Sequence, residues 1–523
     1  MTMPVIRGTM RNVSVALIVA GFLCVATLAS AQTKKAPPPP AKPAPAAAPA
    51  ARPAPPPAAR PSAGNPAGAG MQRPNTGPSA NQPYRTGPTA SGGGARITAN
   101  GTGGTRTPTA AGPGGGVPRT AIRNSTVNAP RNTRELTSQS GSAIRLRSNG
   151  RPSDVHDANR GMDVHHGLNG GQRVSVEHAD HSRTVFERGR PGYVQHPYSF
   201  RGHDFARRSY FYHGRSYDHF YHGYAYRGGY LHVYGPSFYY GAGFYGWAYN
   251  PWASPIAFGW GFGGSPWYGY YGYYFSPYAS YPSASYWLTD YMISSDLQAS
   301  YAAHQEAGEV DGAPPAASGP PELTPEVKQQ IADEVRNQLA LENQEAAANA
   351  QQADVDPGSS GIDRLLSDAA RGKQHVFVVG SALDVVDASQ TECTLSDGDV
   401  LALQTAPPTD AKAAALVVLS SKGGQECQKQ AVVSIALEDL QEMQNHMRET
   451  IDQGLQELQA KQGKGVLPAA PSSALAPPAP AQYASIAPPP DPNAASEIQQ
   501  QAQQADQAEK EVTAEATQPN TNQ

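Results

Sequence analysis

Cysteine is scarce in this chain, with three residues among 523. The first, Cys24, lies in an apolar run from Val13 to Leu28 that follows two arginines and precedes Ala-Ser-Ala. This order is typical of a secretory signal, so we expect residues 1–31 to direct export and to be cleaved. An uncleaved membrane anchor is the alternative, although the run is shorter than the roughly 20 residues of a membrane span.

Removal of this signal leaves two cysteines, Cys393 and Cys427. Disulfides form and persist outside the cytoplasm, so we predict that these two residues pair. Two free, buried thiols are the alternative. We expect the exported protein in the periplasm, in association with the outer membrane or on the cell surface.

Acidic residues are almost absent from the next segment, because residues 32–151 contain 16 Lys and Arg but a single Glu. Residues 290–523 reverse the balance with 12 basic and 34 acidic side chains, so the net charge of −3 conceals a strong asymmetry. The basic arm suits an anionic envelope partner, such as a polysaccharide or a membrane surface, or the acidic tail of the same chain. A solvated arm without a partner is the alternative.

Long apolar runs are also missing from three segments of low complexity. Residues 32–62 alternate proline and alanine, which favours an extended polyproline spacer. Residues 63–150 are basic and rich in Gly, Thr and Asn, and we predict disorder because little apolar surface is available for burial. Residues 462–523, rich in Pro and Gln, are predicted to form a disordered tail.

Charged residues are missing between Gly228 and Thr289, where all five tryptophans lie. Glycine and proline interrupt this stretch too often for a membrane helix, since lipid does not tolerate unpaired backbone groups. Aromatic rings with a polar tip favour interfaces, so the block at 236–307, which includes a short helix, is predicted to contact a membrane surface, a sugar polymer or another protein. A region held together by its own aromatic contacts is the alternative. The candidate binding residues are Trp247, Trp252, Trp260 and Trp267.

Glycine recurs between aromatic residues within 151–235, as in Phe200-Arg-Gly-His-Asp-Phe205, and similar phrases occur twice downstream. Glycine supplies the positive φ of a tight turn and the rings can pair across strands, so the phrase predicts successive β-hairpins. Alternating runs at 173–177 and 183–187 predict a further hairpin. These aromatic residues could also pack against a second copy of the chain.

Eleven of the 14 histidines lie between His156 and His232. Imidazole and carboxylate groups are common metal ligands, which raises the hypothesis of a metal site with Asp163 or Asp180 as an oxygen donor. The spacing matches no strong metal motif, and histidine also suits an aromatic hairpin surface. The candidate nitrogen ligands are His165, His166, His178 and His181.

The C-terminal half contains a second candidate for a folded module. A helix at 324–345 is predicted within the linker 308–373, because Thr324-Pro-Glu supplies an N-cap, a proline at the first helical position and an acid near the positive end of the dipole. Five short β-rich runs follow in residues 374–436 and predict a small barrel. An amphipathic helix is expected to complete the module at 374–461.

The phrase Leu395-Ser-Asp-Gly-Asp-Val-Leu resembles a turn found in small bacterial Src-homology-like β-barrels, and this likeness covers only residues 374–436. The chain as a whole resembles exported bacterial proteins of unknown function with a centre rich in Tyr, Trp and Gly. The predicted fold class is a largely disordered, multi-segment chain with an aromatic β-hairpin region and a small all-β barrel-like domain followed by an amphipathic helix.

No phosphate-binding loop, nucleophile elbow or zinc-helix motif occurs, so we predict neither enzymatic activity nor a cofactor. The leading hypothesis is a non-catalytic envelope or cell-surface protein that mediates adhesion or assembly through the aromatic block and the C-terminal β module. The alternatives are a cell-wall or polysaccharide-binding module and a histidine-rich metal-binding protein. Export disfavours nucleic acid as a partner.

Overall fold

The computed structural model describes residues 129–307, 321–354, 356–424 and 426–517. They all belong to one of the two units into which the chain divides, Thr105–Gln523. The other unit, Met1–Gly104, lies outside the described residues, as do the predicted signal at 1–31, the spacer at 32–62 and most of the basic segment at 63–150.

Ten consecutive strands form one antiparallel sheet in which each strand pairs with the next along the chain. The predicted hairpins are confirmed. Arg201 and Gly202 have φ of 52° and 80°, and they join Phe200 to His203, which pair directly, so a two-residue turn closes this hairpin. The strands are β1 (Arg134–Thr137), β2 (Ala143–Leu146), β3 (Pro152–Asp157), β4 (Met162–His166), β5 (Gln172–Glu177), β6 (Arg183–Glu187), β7 (Gly192–Phe200), β8 (His203–Tyr212), β9 (Arg215–Tyr226) and β10 (Gly229–Gly235).

The aromatic block folds into short helices and strands that precede one long helix. Trp252, Trp267 and Trp287 are each less than a tenth exposed, and they share a core with Leu288 and Met292 of that helix. This packing matches the alternative of a region held together by its own aromatic contacts. The elements are β11 (Phe238–Tyr239), α1 (Ala242–Tyr249), β12 (Ile256–Ala257), α2 (Pro266–Tyr271), β13 (Ser280–Tyr281) and α3 (Ala284–Ala307).

A second sheet and its helices follow. The predicted helix at 324–345 is confirmed, and the Thr324 hydroxyl accepts a hydrogen bond from the Val327 backbone N–H. The sequence did not predict the next helix, Ile362–Ala370, or the strand Glu392–Leu395 of the second sheet. The elements are α4 (Pro325–Ala350), α5 (Ile362–Ala370), β14 (His375–Val378), β15 (Leu383–Asp387), β16 (Glu392–Leu395), β17 (Val400–Leu403), β18 (Ala413–Ser420), β19 (Val432–Ala436) and α6 (Leu437–Lys461).

The second sheet is open, so the prediction of a barrel over 374–436 is wrong. Its strand order is β14-β17-β18-β19-β15-β16, and closure would require the two edge strands, β14 and β16, to pair. Helix α6 contacts β14 and β19 instead, and its Leu440 and Met443 share a core with Leu401 and Val433 of the sheet. Helix α6 therefore covers apolar side chains of the sheet that, in a closed barrel, the opposite strands would cover.

The predicted disordered tail at 462–523 contains ordered elements in its described part, which ends at residue 517. The last helix packs across the ten-stranded sheet, with Ile498, Ala505, Ala508 and Val512 buried. These small apolar residues depend on the sheet for burial, which the local composition does not reveal. The elements are β20 (Ala479–Pro480), α7 (Gln482–Ser485) and α8 (Ala494–Thr517).

The first sheet begins earlier than predicted, because β1 and β2 lie inside the segment at 63–150 that was predicted to be disordered. Ile144 of β2 is fully buried and shares a core with Val155 and Val174 and with Ala508 of α8. The local sequence has few apolar residues, so its order depends on distant partners. Among the helices in the described ranges, none has both the length and the apolar character needed to cross a bilayer.

Candidate functional site

A cavity of about 260 Å³ lies between the ten-stranded sheet, helices α3 and α6 and the turn that joins β14 to β15. We call it the sheet cavity. It is lined by aromatic, basic and acidic side chains together, which is the mixture expected of a site that orients a polar ligand. The lining residues that carry its chemistry are Arg173, Glu187, Arg190, Tyr193, Arg208, Tyr210, Tyr217, His219, Asp296, Glu442, His446 and Glu449.

Three tyrosines form a row across strands β7, β8 and β9 on the wall of the sheet cavity. Tyr193 pairs with Tyr210 and Tyr210 pairs with Tyr217 in the strand register, with ring centroids 5.1 and 5.0 Å apart. Tyr217 is 38% exposed, Tyr210 is partly buried and Tyr193 is 6% exposed. The row therefore leads from solvent into the interior.

Arg208 of β8 is almost fully buried at the inner end of the row. Its guanidinium donates hydrogen bonds of 2.8 and 2.7 Å to the two carboxylate oxygens of Glu442 on α6, and its Nε donates to Gln195 at 2.9 Å. Burial would raise the pKa of Glu442, but the charge and hydrogen bonds of Arg208 hold it well below its usual value. Arg208 also lies over the rings of Tyr221 and Tyr193. The inner wall is therefore rigid and ionised.

A second pair joins α6 to α3 beside the cavity. His446 Nε2 lies 2.7 Å from Asp296 Oδ1. Burial lowers the pKa of His446, but the Asp296 carboxylate and the more distant Glu449 raise it to about 9. His446 is therefore a cation at neutral pH. Arg190, from the turn after β6, pairs with Asp397 in the turn between β16 and β17.

Glu449 connects the tyrosine row to α6. The Tyr210 and Tyr221 hydroxyls are 2.8 Å apart, and the Tyr221 hydroxyl donates to Glu449. His219 Nδ1 lies 3.2 Å from the other oxygen of Glu449. Burial would raise the pKa of Glu449, but His219 and the Tyr221 hydroxyl lower it below its usual value. This chain of contacts holds the row in place.

A larger cavity of about 730 Å³ lies between α4 and α5. Two of its carboxylates are engaged in ion pairs: Asp368 pairs with Arg371 and Lys373, and Glu345 pairs with Arg448. It has no aromatic row. We therefore regard the sheet cavity as the better candidate site.

The predicted metal ligands have separate partners. His165 Nδ1 lies 2.8 Å from Asp154 Oδ1, and its Nε2 lies 3.4 Å from Asp384 Oδ2. His166 Nε2 lies 2.8 Å from Glu509 on α8. These neighbouring histidines therefore join the first sheet to the second sheet and to the last helix.

The other two predicted ligands lie at a hairpin turn. His178 is exposed, and His181 stacks on Tyr230 with ring centroids 3.9 Å apart. Asp163 Oδ1 lies 2.7 Å from His156 Nδ1, within hydrogen-bond distance. Asp180 accepts hydrogen bonds from the backbone N–H and the hydroxyl of Ser182. Across the described ranges, no group of three or more His, Cys, Asp and Glu side chains is arranged to hold a metal ion.

Three of the four predicted tryptophans stack on another tryptophan, and the fourth, Trp267, meets Phe262 edge to face with ring centroids 4.8 Å apart. Trp247 stacks on Trp252 with centroids 5.6 Å apart, and Trp260 stacks on Trp287 at 4.4 Å. Trp252 and Trp267 are 7% exposed, whereas Trp247 and Trp260 are partly buried. These rings thus pack against other side chains of this protein.

Cys393 and Cys427 form a disulfide in the structure, with Cα atoms 4.9 Å apart. Cys393 lies on the edge strand β16, and Cys427 is fully buried in the core of the second sheet. The bridge fixes the segment before β19 to this edge.

Sequence reasoning missed the tyrosine row, although a signal for it was present. Two-residue turns fix the register of a hairpin, so the positions of the turn glycines determine which residues face each other. Counting back from the turns places Tyr193 opposite Tyr210 and Tyr210 opposite Tyr217. The contribution of α6 carried no such local signal, because Glu442 lies 234 residues from Arg208.

Comparisons with protein-family models, with curated proteins and with solved structures found no match.

Proposed function

We propose that this protein is a non-catalytic, exported binding protein that holds a glycan of the cell envelope at the sheet cavity. The observation that carries the proposal is the tyrosine row, in which Tyr217 is exposed and Tyr193 is buried at the inner end. A sugar ring presents an apolar face that can lie on an aromatic ring and hydroxyls that require hydrogen-bond partners. The row and the polar wall behind it offer both.

The polar wall supports this choice of ligand. The Arg208–Glu442 and His446–Asp296 pairs present fixed donors and acceptors beside the aromatic row. A ligand with many hydroxyl groups can form further hydrogen bonds with these charged groups, whereas a purely apolar ligand cannot. A volume of about 260 Å³ suits one small residue of a longer chain.

Export is supported by the signal-like residues 1–31 and by the cysteine pair, since disulfides persist outside the cytoplasm. The aromatic block is a weaker candidate for adhesion than the sequence indicated, because Trp252 and Trp267 are 7% exposed. We therefore assign binding to the tyrosine row and regard the aromatic block as its support.

A binding assay with two matched variants tests the proposal. Purified protein is applied to isolated cell-wall sacculi and to an array of envelope oligosaccharides, as wild type, Tyr217→Ala and Tyr249→Ala. Tyr249 lies outside the sheet cavity and is 36% exposed, close to the 38% of Tyr217. We expect Tyr217→Ala to lose about five- to tenfold in affinity, since ring stacking contributes roughly 1 to 1.4 kcal/mol.

Tyr249→Ala should bind as the wild type does. Equal loss in both variants, or no binding of the wild type to any glycan, would contradict the proposal. Thermal unfolding of each variant establishes that lost binding does not reflect lost folding.

A further inference from the structure

Arg173 differs from the other basic residues that line the sheet cavity. Arg190, Arg208 and His446 each pair with a carboxylate, namely Asp397, Glu442 and Asp296. Arg173 forms no hydrogen bond or ion pair through its guanidinium to another described side chain, and its Nε is buried without a hydrogen-bond partner. The wall thus includes one arginine whose guanidinium forms no direct ion pair within the described residues.

The position of Arg173 gives it access to a ligand. It lines both the sheet cavity and an adjoining cavity of about 80 Å³, which also contains Asp154 and His165. On the sheet it lies opposite Glu187 in the pairing of β5 with β6. Burial raises the pKa of Glu187 above its usual value, and the charges of Arg173 and Arg190 oppose this rise. Glu187 nevertheless forms no ion pair with the Arg173 guanidinium among the described residues.

We propose that Arg173 binds the carboxylate of an acidic sugar, such as a uronic acid, whose ring lies along the tyrosine row. This inference rests on the proposed function and specifies its ligand. A planar guanidinium binds a carboxylate through two parallel hydrogen bonds, which gives both affinity and orientation. The same group offers no comparable partner to a neutral sugar.

Titration calorimetry with glucuronate, glucose and acetate tests the assignment at matched ionic strength. We expect wild-type protein to bind glucuronate at least tenfold more tightly than glucose, and acetate weakly, because acetate lacks the ring. Arg173→Gln should lower the affinity for glucuronate at least tenfold and so remove the preference over glucose. Arg173→Lys keeps the charge but not the paired hydrogen bonds, so it should restore part of the preference.

Arg188→Gln is the matched control, because Arg188 is exposed on the same hairpin and does not line the cavity. It should retain the full preference for glucuronate. Equal binding of glucuronate and glucose by the wild type would overturn the role of Arg173 while leaving glycan binding intact. Tight binding of acetate would overturn the requirement for a sugar ring. Binding of none of the three would count against the proposed function itself.

Discussion

Arg208 and Glu442 lie 234 residues apart in the chain, yet their side chains meet through two hydrogen bonds of 2.8 and 2.7 Å. This contact joins strand β8 of the ten-stranded sheet to helix α6, which also packs on the second sheet. It therefore connects the two sheets as well as forming the inner wall of the sheet cavity.

Replacing Glu442 with Gln should destabilise the protein by about 3 kcal/mol, because it leaves the buried Arg208 charge without its counterion. The free energy of unfolding is measured by urea denaturation. Lys461→Gln serves as the control, since it breaks an exposed ion pair near the end of the same helix and should cost less than about 1 kcal/mol. Similar losses in the two variants would contradict a central role for the Arg208 pair.

Gly380 sits where α6 approaches the β14–β15 turn, and a Cβ there would lie 2.1 Å from Cδ2 of His446. Gly380→Ala should therefore displace the imidazole from Asp296 and destabilise the protein by about 1 to 3 kcal/mol. Glycan affinity should fall in parallel, because His446 lines the sheet cavity.

Gly246→Ala is the control for that substitution, since no atom outside its own helix lies within 4 Å of the added Cβ. In a helix, alanine is favoured over glycine by up to about 1 kcal/mol, so this variant should be as stable as the wild type or slightly more stable. Unfolding and binding are measured for both variants together. A wild-type affinity in Gly380→Ala would show that the position of His446 is immaterial.

The sequence revealed local structure well, because turn glycines and caps act over a few residues. The hairpin around Gly202 and the helix that begins after Thr324 were both predicted on such signals. Contacts between residues that are distant in the sequence could not be predicted from such local signals. Nothing near Ala505 and Ala508 shows that a helix rich in Ala and Gln will cover the first sheet, and nothing near β14 shows that α6 will replace barrel closure.

The aromatic block illustrates a different limit. Its composition is equally compatible with an exposed adhesive surface and with a core, because tyrosine and tryptophan have one apolar and one polar side. The outcome depends on α3, whose fully buried Leu288 and Met292 provide a partner for the rings. A helix predicted in isolation does not reveal which surface it will cover.

Stability should depend on pH through His165. Burial lowers the pKa of this imidazole, but hydrogen bonds to Asp154 and Asp384 raise it to about 10, against about 6.5 in an unfolded chain. A raised pKa means that the folded state binds the proton more tightly, so the stabilisation is complete below pH 6.5 and is lost as the pH rises to about 10. We expect His165→Gln to lower the free energy of unfolding most at pH 5 to 6 and least near pH 10.

Urea denaturation of the wild type and the variant between pH 5 and pH 10 measures this dependence. His178→Gln is the control, because His178 is exposed and its loss should change stability little at any pH. A cost for His165→Gln that stays constant across the range would contradict an ionised His165 between the two carboxylates.

The disulfide between Cys393 and Cys427 closes a loop with a sequence separation of 34 residues. In the chain-entropy model a loop of this size stabilises the folded state by about 3 to 4 kcal/mol, because it restricts the unfolded chain. The double variant Cys393→Ala/Cys427→Ala should lose about that amount in urea denaturation. A reducing agent should lower the stability of the wild type by a similar amount and leave the variant unchanged. If reduction and the double substitution both left the free energy of unfolding at its original value, the bridge would not constrain the second sheet.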